Sequence, residues 1–148
     1  MTSSEPIGLF VDTNVFVYAG SDSPYQKGSA LVVEALGDGA LVAATSAAVI
    51  EELWHLEVSG RIPGLDGATR AAFQLMRPVL AITDDIVAAA LELAPSKLGA
   101  NDRIHVATCH SHGIPTILTA DRAFDTAPDL HRVDPADLAA VQGLLNPA

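Results

Sequence analysis

The run IGLFVDTN, from Ile7 to Asn14, constrains this chain more than any other stretch. It is apolar and of strand composition through Val11, then breaks into Asp12, Thr13 and Asn14. A buried strand with a carboxylate at its C-terminal tip belongs to α/β architecture, in which ligands bind beyond the carboxyl ends of parallel strands. The rest of the chain continues that pattern. Ala40 to Ala44, Val79 to Ile82, Pro115 to Thr119 and Leu130 to Val133 read as further short strands. Between them lie helical segments: a short one from Val15 to Ala19, then Tyr25 to Leu36, Ala47 to Val58, Leu65 to Met76, Asp84 to Leu93 and Asp102 to His112. Thr45-Ser46, Asp66, Thr83 and Asn101 are the expected N-caps, and Asp134-Pro135 is expected to start a last helix. The expected fold is one α/β domain over residues 1–148, with a central, mostly parallel sheet of four to five short strands and helices on both faces.

Composition supports this and narrows the class. Apolar residues make up 49% and aromatics only 5%, so the core is built from Ala, Val, Leu and Ile, a mix suited to helices on a parallel sheet. No apolar run approaches the roughly 18 residues of a membrane span, and the first residues have no basic segment leading into an apolar one. Cys109 is the lone cysteine, which excludes an internal disulfide and fits a reducing compartment. A soluble cytoplasmic protein with no membrane partner is expected. The net charge of −10 argues against a broad basic face of the kind that binds nucleic acid non-specifically. Either the acids solubilise a protein whose partner is small or proteinaceous, or some are clustered to hold divalent cations that do the phosphate binding.

Five acids are placed for the second reading. Asp12 and Asp121 end the first and fourth strands, and Asp102 sits in the first turn of the helix leading into the fourth. Glu52 lies on the border of the apolar stripe of its helix, and Asp125 follows Asp121 by one turn. Each has an ordinary alternative role as a cap, a first-turn acid, a turn residue or a solvated helix residue. Clustered carboxylates disfavour joint ionisation unless something compensates. Mg²⁺ or Mn²⁺ compensates well, because these hard cations bind oxygen ligands and substrate phosphates. Such ions can generate a nucleophilic water and stabilise a leaving oxygen, which points to phosphodiester hydrolysis. A phosphatase that uses Asp12 as covalent nucleophile is disfavoured, since that chemistry wants an acid where this chain has Asn14.

Four motifs in order, FVDTNVFVY from Phe10, Ser46 followed by Glu52-Leu53, Asn101-Asp102 with His105 to Cys109, and LTADRAF from Leu118, resemble the PIN-domain ribonucleases. The likeness is to toxins of the VapC type from toxin–antitoxin pairs, and it covers Ile7 to about Val133. The resemblance implies a single PIN-like domain. It also implies that Asp12, Glu52, Asp102 and Asp121 are the Mg²⁺- or Mn²⁺-binding catalytic acids, with Glu52 selected over Glu51 by the spacing from Ser46. Asn14 and Thr119 match polar positions flanking the metal, and Asp125 a less regular acidic one. The implied activity is metal-dependent endoribonuclease cleavage of a structured RNA (a tRNA or rRNA) by metal-activated water. The implied partners are a cognate antitoxin and a second copy in a homodimer.

Arg103, Arg122 and Lys97 flank the proposed acids and are candidate phosphate contacts, with solvent-facing cations the equal alternative. His105, Cys109 and His112 recur on one helix face, but on a straight helix they span about 10 Å, too far for one zinc ion. A buried Cys109, with His105 hydrogen-bonded near the site, is the expected arrangement; Trp54 is most simply core, with an edge exposed to a protein partner as the alternative. The competing functional class is a non-catalytic interaction domain whose acids bind a basic protein partner.

Overall fold

The computed structural model describes residues 6–147. Its strands are β1 (Leu9–Val11), β2 (Thr45–Ser46), β3 (Val79–Leu80), β4 (Thr116–Leu118) and β5 (His131–Val133). Its helices are α1 (Thr13–Tyr18), α2 (Gln26–Gly37), α3 (Ala47–Ser59), α4 (Ala68–Leu75), α5 (Asp84–Leu91), α6 (Ala100–Ser111) and α7 (Leu138–Leu145). A 3₁₀ turn, Arg122–Thr126, follows β4. All strand pairings are parallel: β1, β4 and β5 form one sheet in that order, and β2 pairs with β3. Phe10 bridges Ala44, and the Val11 and Ala44 amides donate to the Ala44 and Leu9 carbonyls at 2.9 Å each, fastening both pieces into the order β3-β2-β1-β4-β5. The α/β expectation, with a parallel central sheet flanked by helices, is met.

Successive strand residues point to opposite faces, and both faces are covered. Phe10 and Ile117 pack with Val106 and Cys109 of α6 and with Phe124, whereas Leu9, Val11 and Leu118 pack with Val32 of α2 and Val141 of α7. Burial on both sides explains why β1 and β4 read as unbroken apolar runs. A smaller core of Leu53, Leu65 and Ala72 joins α3 to α4. The register Val11↔Leu118 releases Asp12 and Thr119 side by side at the carboxyl end of the sheet.

Several boundaries differ from the sequence reading. The second strand is Thr45–Ser46, and only Ala44 of the expected Ala40–Ala44 pairs. Thr45 is used in the ladder and also donates its hydroxyl to the Val11 carbonyl at 2.9 Å, while Ser46 does cap α3 as expected. Asp66 is not the cap of α4. Gly67, at φ 83°, precedes that helix, and the carboxylate of Glu57 accepts from the Gly67 and Thr69 amides. An acid from α3 thus supplies the cap that the local sequence does not. Asn101 lies inside α6, whose cap position is Gly99. Pro135 does not open α7. Asp134 and Asp137 form a turn there, and Asp137 caps the helix. Trp54 is 60% exposed rather than buried, and with Val58 (74%) and Phe73 (56%) it marks an apolar strip along α3 and α4.

The turn before α7 fits closely over α2. A Cβ placed on buried Gly28 would overlap the Pro135 carbonyl, a backbone group that cannot rotate away. Gly28→Ala is expected to destabilise the protein by about 3 kcal/mol through overpacking, read as a lower urea midpoint at unchanged slope.

Candidate functional site

The site begins with a buried carboxylate. Asp12 follows β1, and its amide donates to the Leu118 carbonyl at 3.1 Å, so the backbone of β4 fixes its position. Its Oδ1 accepts from the Thr13 amide at 2.7 Å, which makes Asp12 the N-cap of α1 as well. Its Oδ2 accepts from the Thr119 hydroxyl at 2.7 Å and from Asn14 Nδ2 at 3.3 Å. Asn14 also donates to Thr119 Oγ1 at 2.9 Å and accepts from the Ala120 amide at 3.2 Å. Thr119 Oγ1 further accepts from the Asp121 amide at 3.1 Å. These bonds lock the β1 and β4 termini together. Burial pushes the Asp12 carboxyl above its ordinary range, against the lowering influence of His105, Thr119 and Thr13.

The other acids reach the same place from three further elements. Glu52 comes from α3, Asp102 from the first turn of α6, and Asp121 from the end of β4, where it also caps the 3₁₀ turn. With Asp12 and Asn14 they line one open cleft of about 370 Å³. The Asp102 carboxyl is pushed up to about 7, first by burial and then by the charges of Asp12 and Asp121. His105 of α6 is fully buried between Phe10 and Phe124. Its Nε2 donates to Glu52 Oε1 at 2.7 Å and lies 3.6 Å from Asp12 Oδ1. Burial opposes charge on this imidazole, but the Glu52 hydrogen bond and the charges of Asp12, Glu52 and Asp102 outweigh it and raise its proton affinity. Cys109, one turn on, is buried, and burial pushes its thiol up to about 12. It belongs to the core.

Among the described residues, no three or more acidic, imidazole or thiol side chains stand in ready metal-ligating geometry. The physical reason is visible: Glu52 is turned to His105, Asp12 is held by Thr119 and Thr13, and mutual repulsion disfavours closer approach of the bare carboxylates. The crowding that raises Asp102 is nevertheless of the kind a hard cation relieves, and every donor is an oxygen.

The remaining candidates divide. Asn14 and Thr119 sit within the Asp12 network. Asp125 does not line the cleft, because Arg132 draws its carboxylate away at 2.8 Å. Arg103 is likewise committed elsewhere. Its guanidinium donates to the Leu98, Leu93 and Ala94 carbonyls and ties the loop before α6 to that helix. Lys97 and Arg122 are exposed and outside the cleft lining. Two polar lining residues were not picked out from the sequence. Thr13 has a buried hydroxyl with no partner, and Tyr18 lines the cleft together with the apolar Val17, Leu56 and Ile62. Their signal was positional: both belong to the helix that Asp12 caps.

The PIN domain family model matches residues 9–130. The chain belongs to the PIN-domain family. Within it the chain is of the VapC type: it is 36% identical over 124 residues to Ribonuclease VapC23 of Mycobacterium tuberculosis, covering 80% of this chain and 97% of that protein. Among solved structures, this PIN domain is similar to M. tuberculosis VapC20, a sarcin–ricin loop cleaving toxin, with a TM-score of 0.66 at 20% identity over 81% of this chain and 95% of that one. It is also similar to a chain of a toxin–antitoxin complex from Klebsiella pneumoniae, with a TM-score of 0.62 at 22% identity over 86% of this chain and 97% of that one.

The acid cluster makes stability depend on pH. Asp12 and Asp102 bind protons more tightly folded than unfolded, and so does His105. For all three the native state holds more protons, so stability falls as pH rises; for Asp102 the window runs from about 4 to about 7. In EDTA, melting temperature should drop between pH 5 and pH 8, and Asp102→Asn should melt above wild type at pH 8. A flat profile for wild type would contradict this electrostatic picture.

Proposed function

We propose that this PIN domain is a metal-dependent endoribonuclease, the toxin of a toxin–antitoxin pair, acting on a structured RNA such as a tRNA or rRNA. The observation that carries the reading is the gathering of Asp12, Glu52, Asp102 and Asp121, from four separate elements, around one cleft, with Asp102 raised by burial and by its acidic neighbours. Such an arrangement costs folding stability, which a domain without ion chemistry has no use for. The names of the relatives point the same way: VapC23 is a ribonuclease, and VapC20 cleaves the sarcin–ricin loop.

Asp12, Glu52, Asp102 and Asp121 would hold Mg²⁺ or Mn²⁺. When bound, the ion supplies an activated water and neutralises phosphate charge at the scissile bond. The chain's own residues prepare for this. Thr119, Asn14 and the Thr13 amide fix the Asp12 carboxylate before any ligand arrives, so no reorganisation is needed there. His105 orients Glu52 from behind, as an outer partner of a ligating carboxylate does. The unpartnered Thr13 hydroxyl offers a further oxygen at the cleft wall.

The partners in this reading are the RNA, a cognate antitoxin and a second copy in a homodimer. Support for the antitoxin comes from the toxin–antitoxin complex that the fold resembles, and from the exposed Trp54, Val58 and Phe73, an apolar strip of the sort that protein partners cover. Among the described residues no helix is long and apolar enough to cross a membrane.

Cleavage of total RNA with Mg²⁺ or Mn²⁺ tests the proposal. EDTA should abolish it, and Asp12→Asn should lower kcat by at least about 100-fold, the upper range for losing an outer-shell partner. Cleavage that survives both treatments would remove the metal mechanism.

A further inference from the structure

The acids leave a question that the activity does not answer: what attracts RNA to a chain with a net charge of −10. Of the cations near the cleft, Arg103 is bonded to backbone carbonyls and Arg132 to Asp125 and Asp134, which leaves only the exposed Arg122 and Lys97, outside the cleft lining. Bound ions can hold the scissile phosphate, but counterion release from a basic face, the usual source of nucleic-acid affinity, is weak here. The alternative source is stacking on bases.

We propose that Tyr18 is a nucleobase platform, which receives an unpaired base adjoining the scissile phosphate. The proposal rests on the ribonuclease reading and deepens it. Tyr18 lines the same cleft as the acids, which Val17, Leu56 and Ile62 also line. Its ring is stacked on Tyr25, with centroids 4.6 Å apart and planes 26° apart. That backing is built by the connection between α1 and α2. Ser21 Oγ donates to the Tyr18 carbonyl at 2.9 Å and shares a hydrogen bond of 2.8 Å with Ser23 Oγ, which accepts from the Tyr25 amide at 3.3 Å. Gln26 Nε2 donates across the turn to the Ala19 carbonyl at 3.2 Å. A half-buried aromatic ring backed by a second ring loses little freedom when a base adds to it. Because every base has a π-face, this contact supplies affinity with little demand on sequence. It also selects for unpaired nucleotides, since a base in a duplex cannot splay into the cleft.

The test is steady-state cleavage of a short RNA stem-loop with an unpaired loop of mixed sequence in Mn²⁺, with the same strand lacking its loop bases as competitive inhibitor. Tyr18→Leu keeps the apolar volume and removes the ring. It should raise KM by about 5-fold to about 150-fold, the equivalent of one stacked base, with little change in kcat. Inhibition by the abasic strand should be equal for wild type and Tyr18→Leu, which a merely damaged fold would not give. Tyr18→Phe should restore KM towards wild type, because the ring and not the hydroxyl does the stacking. If Tyr18→Leu cleaves with wild-type KM, or if the abasic strand is weakened in parallel, the platform is overturned and the metal mechanism stands. If wild type cleaves no RNA in Mn²⁺, the ribonuclease reading fails, and the platform with it.

Discussion

The hydrogen bond from the Thr119 hydroxyl to the Asp12 carboxylate is the constraint on which the site depends. A carboxylate this deeply buried is tolerable only when its oxygens are satisfied. Thr119, Asn14 and the Thr13 amide satisfy them, and each comes from the parallel pairing of β1 with β4 or from the helix that Asp12 caps. Fold and site are therefore coupled at one point. The same register that closes the sheet places the carboxylate, and the same carboxylate starts α1. A shift of that register would separate Asp12 from Thr119 as well as turning apolar side chains to the wrong face.

A second level of organisation is electrostatic. Burial, and then the charges of Asp12 and Asp121, raise the proton affinity of Asp102, and the His105 imidazole beneath the cluster bonds Glu52. The imidazole is enclosed by Phe10 and Phe124, so its orientation is fixed by core packing. The core of one sheet face thus reaches directly into the cleft, and changes at Phe10 or Phe124 would be felt by a carboxylate neither touches in sequence.

Much of this was legible in the sequence, and for physical reasons. Buried parallel strands have to be apolar runs, and an acid at such a run's end has few places to go, so β1, β4, Asp12 and Asp121 stood out. Long amphipathic helices were readable by period, and Ser46 and Thr83 cap as their chemistry suggests. What escaped were contacts supplied from a distance. Asp66 looked like the α4 cap because the cap that exists, Glu57, lies in a different helix. The hold of Arg103 on the loop before α6 was not legible because the carbonyls it binds are reached only once that loop folds back. Trp54 looked like core because hydrophobicity alone does not tell a buried face from one awaiting a partner. Tyr18 carried only a positional signal, on the helix that Asp12 caps. Its role depends on Tyr25 arriving beneath it through the turn.

The lining of the cleft is shared among elements that also carry the acids. Asp12, Thr13, Asn14, Val17 and Tyr18 come from the end of β1 and from α1, while Glu52 and Leu56 lie one turn apart on α3. Ile62 comes from the segment between α3 and α4, whose small core and cap at Glu57 are its own. A substitution at Ile62 can therefore reshape the cleft without displacing a carboxylate, whereas any shift of α3 or α1 moves an acid and an apolar contact together. Variation in what the cleft admits is cheapest in that one connecting segment.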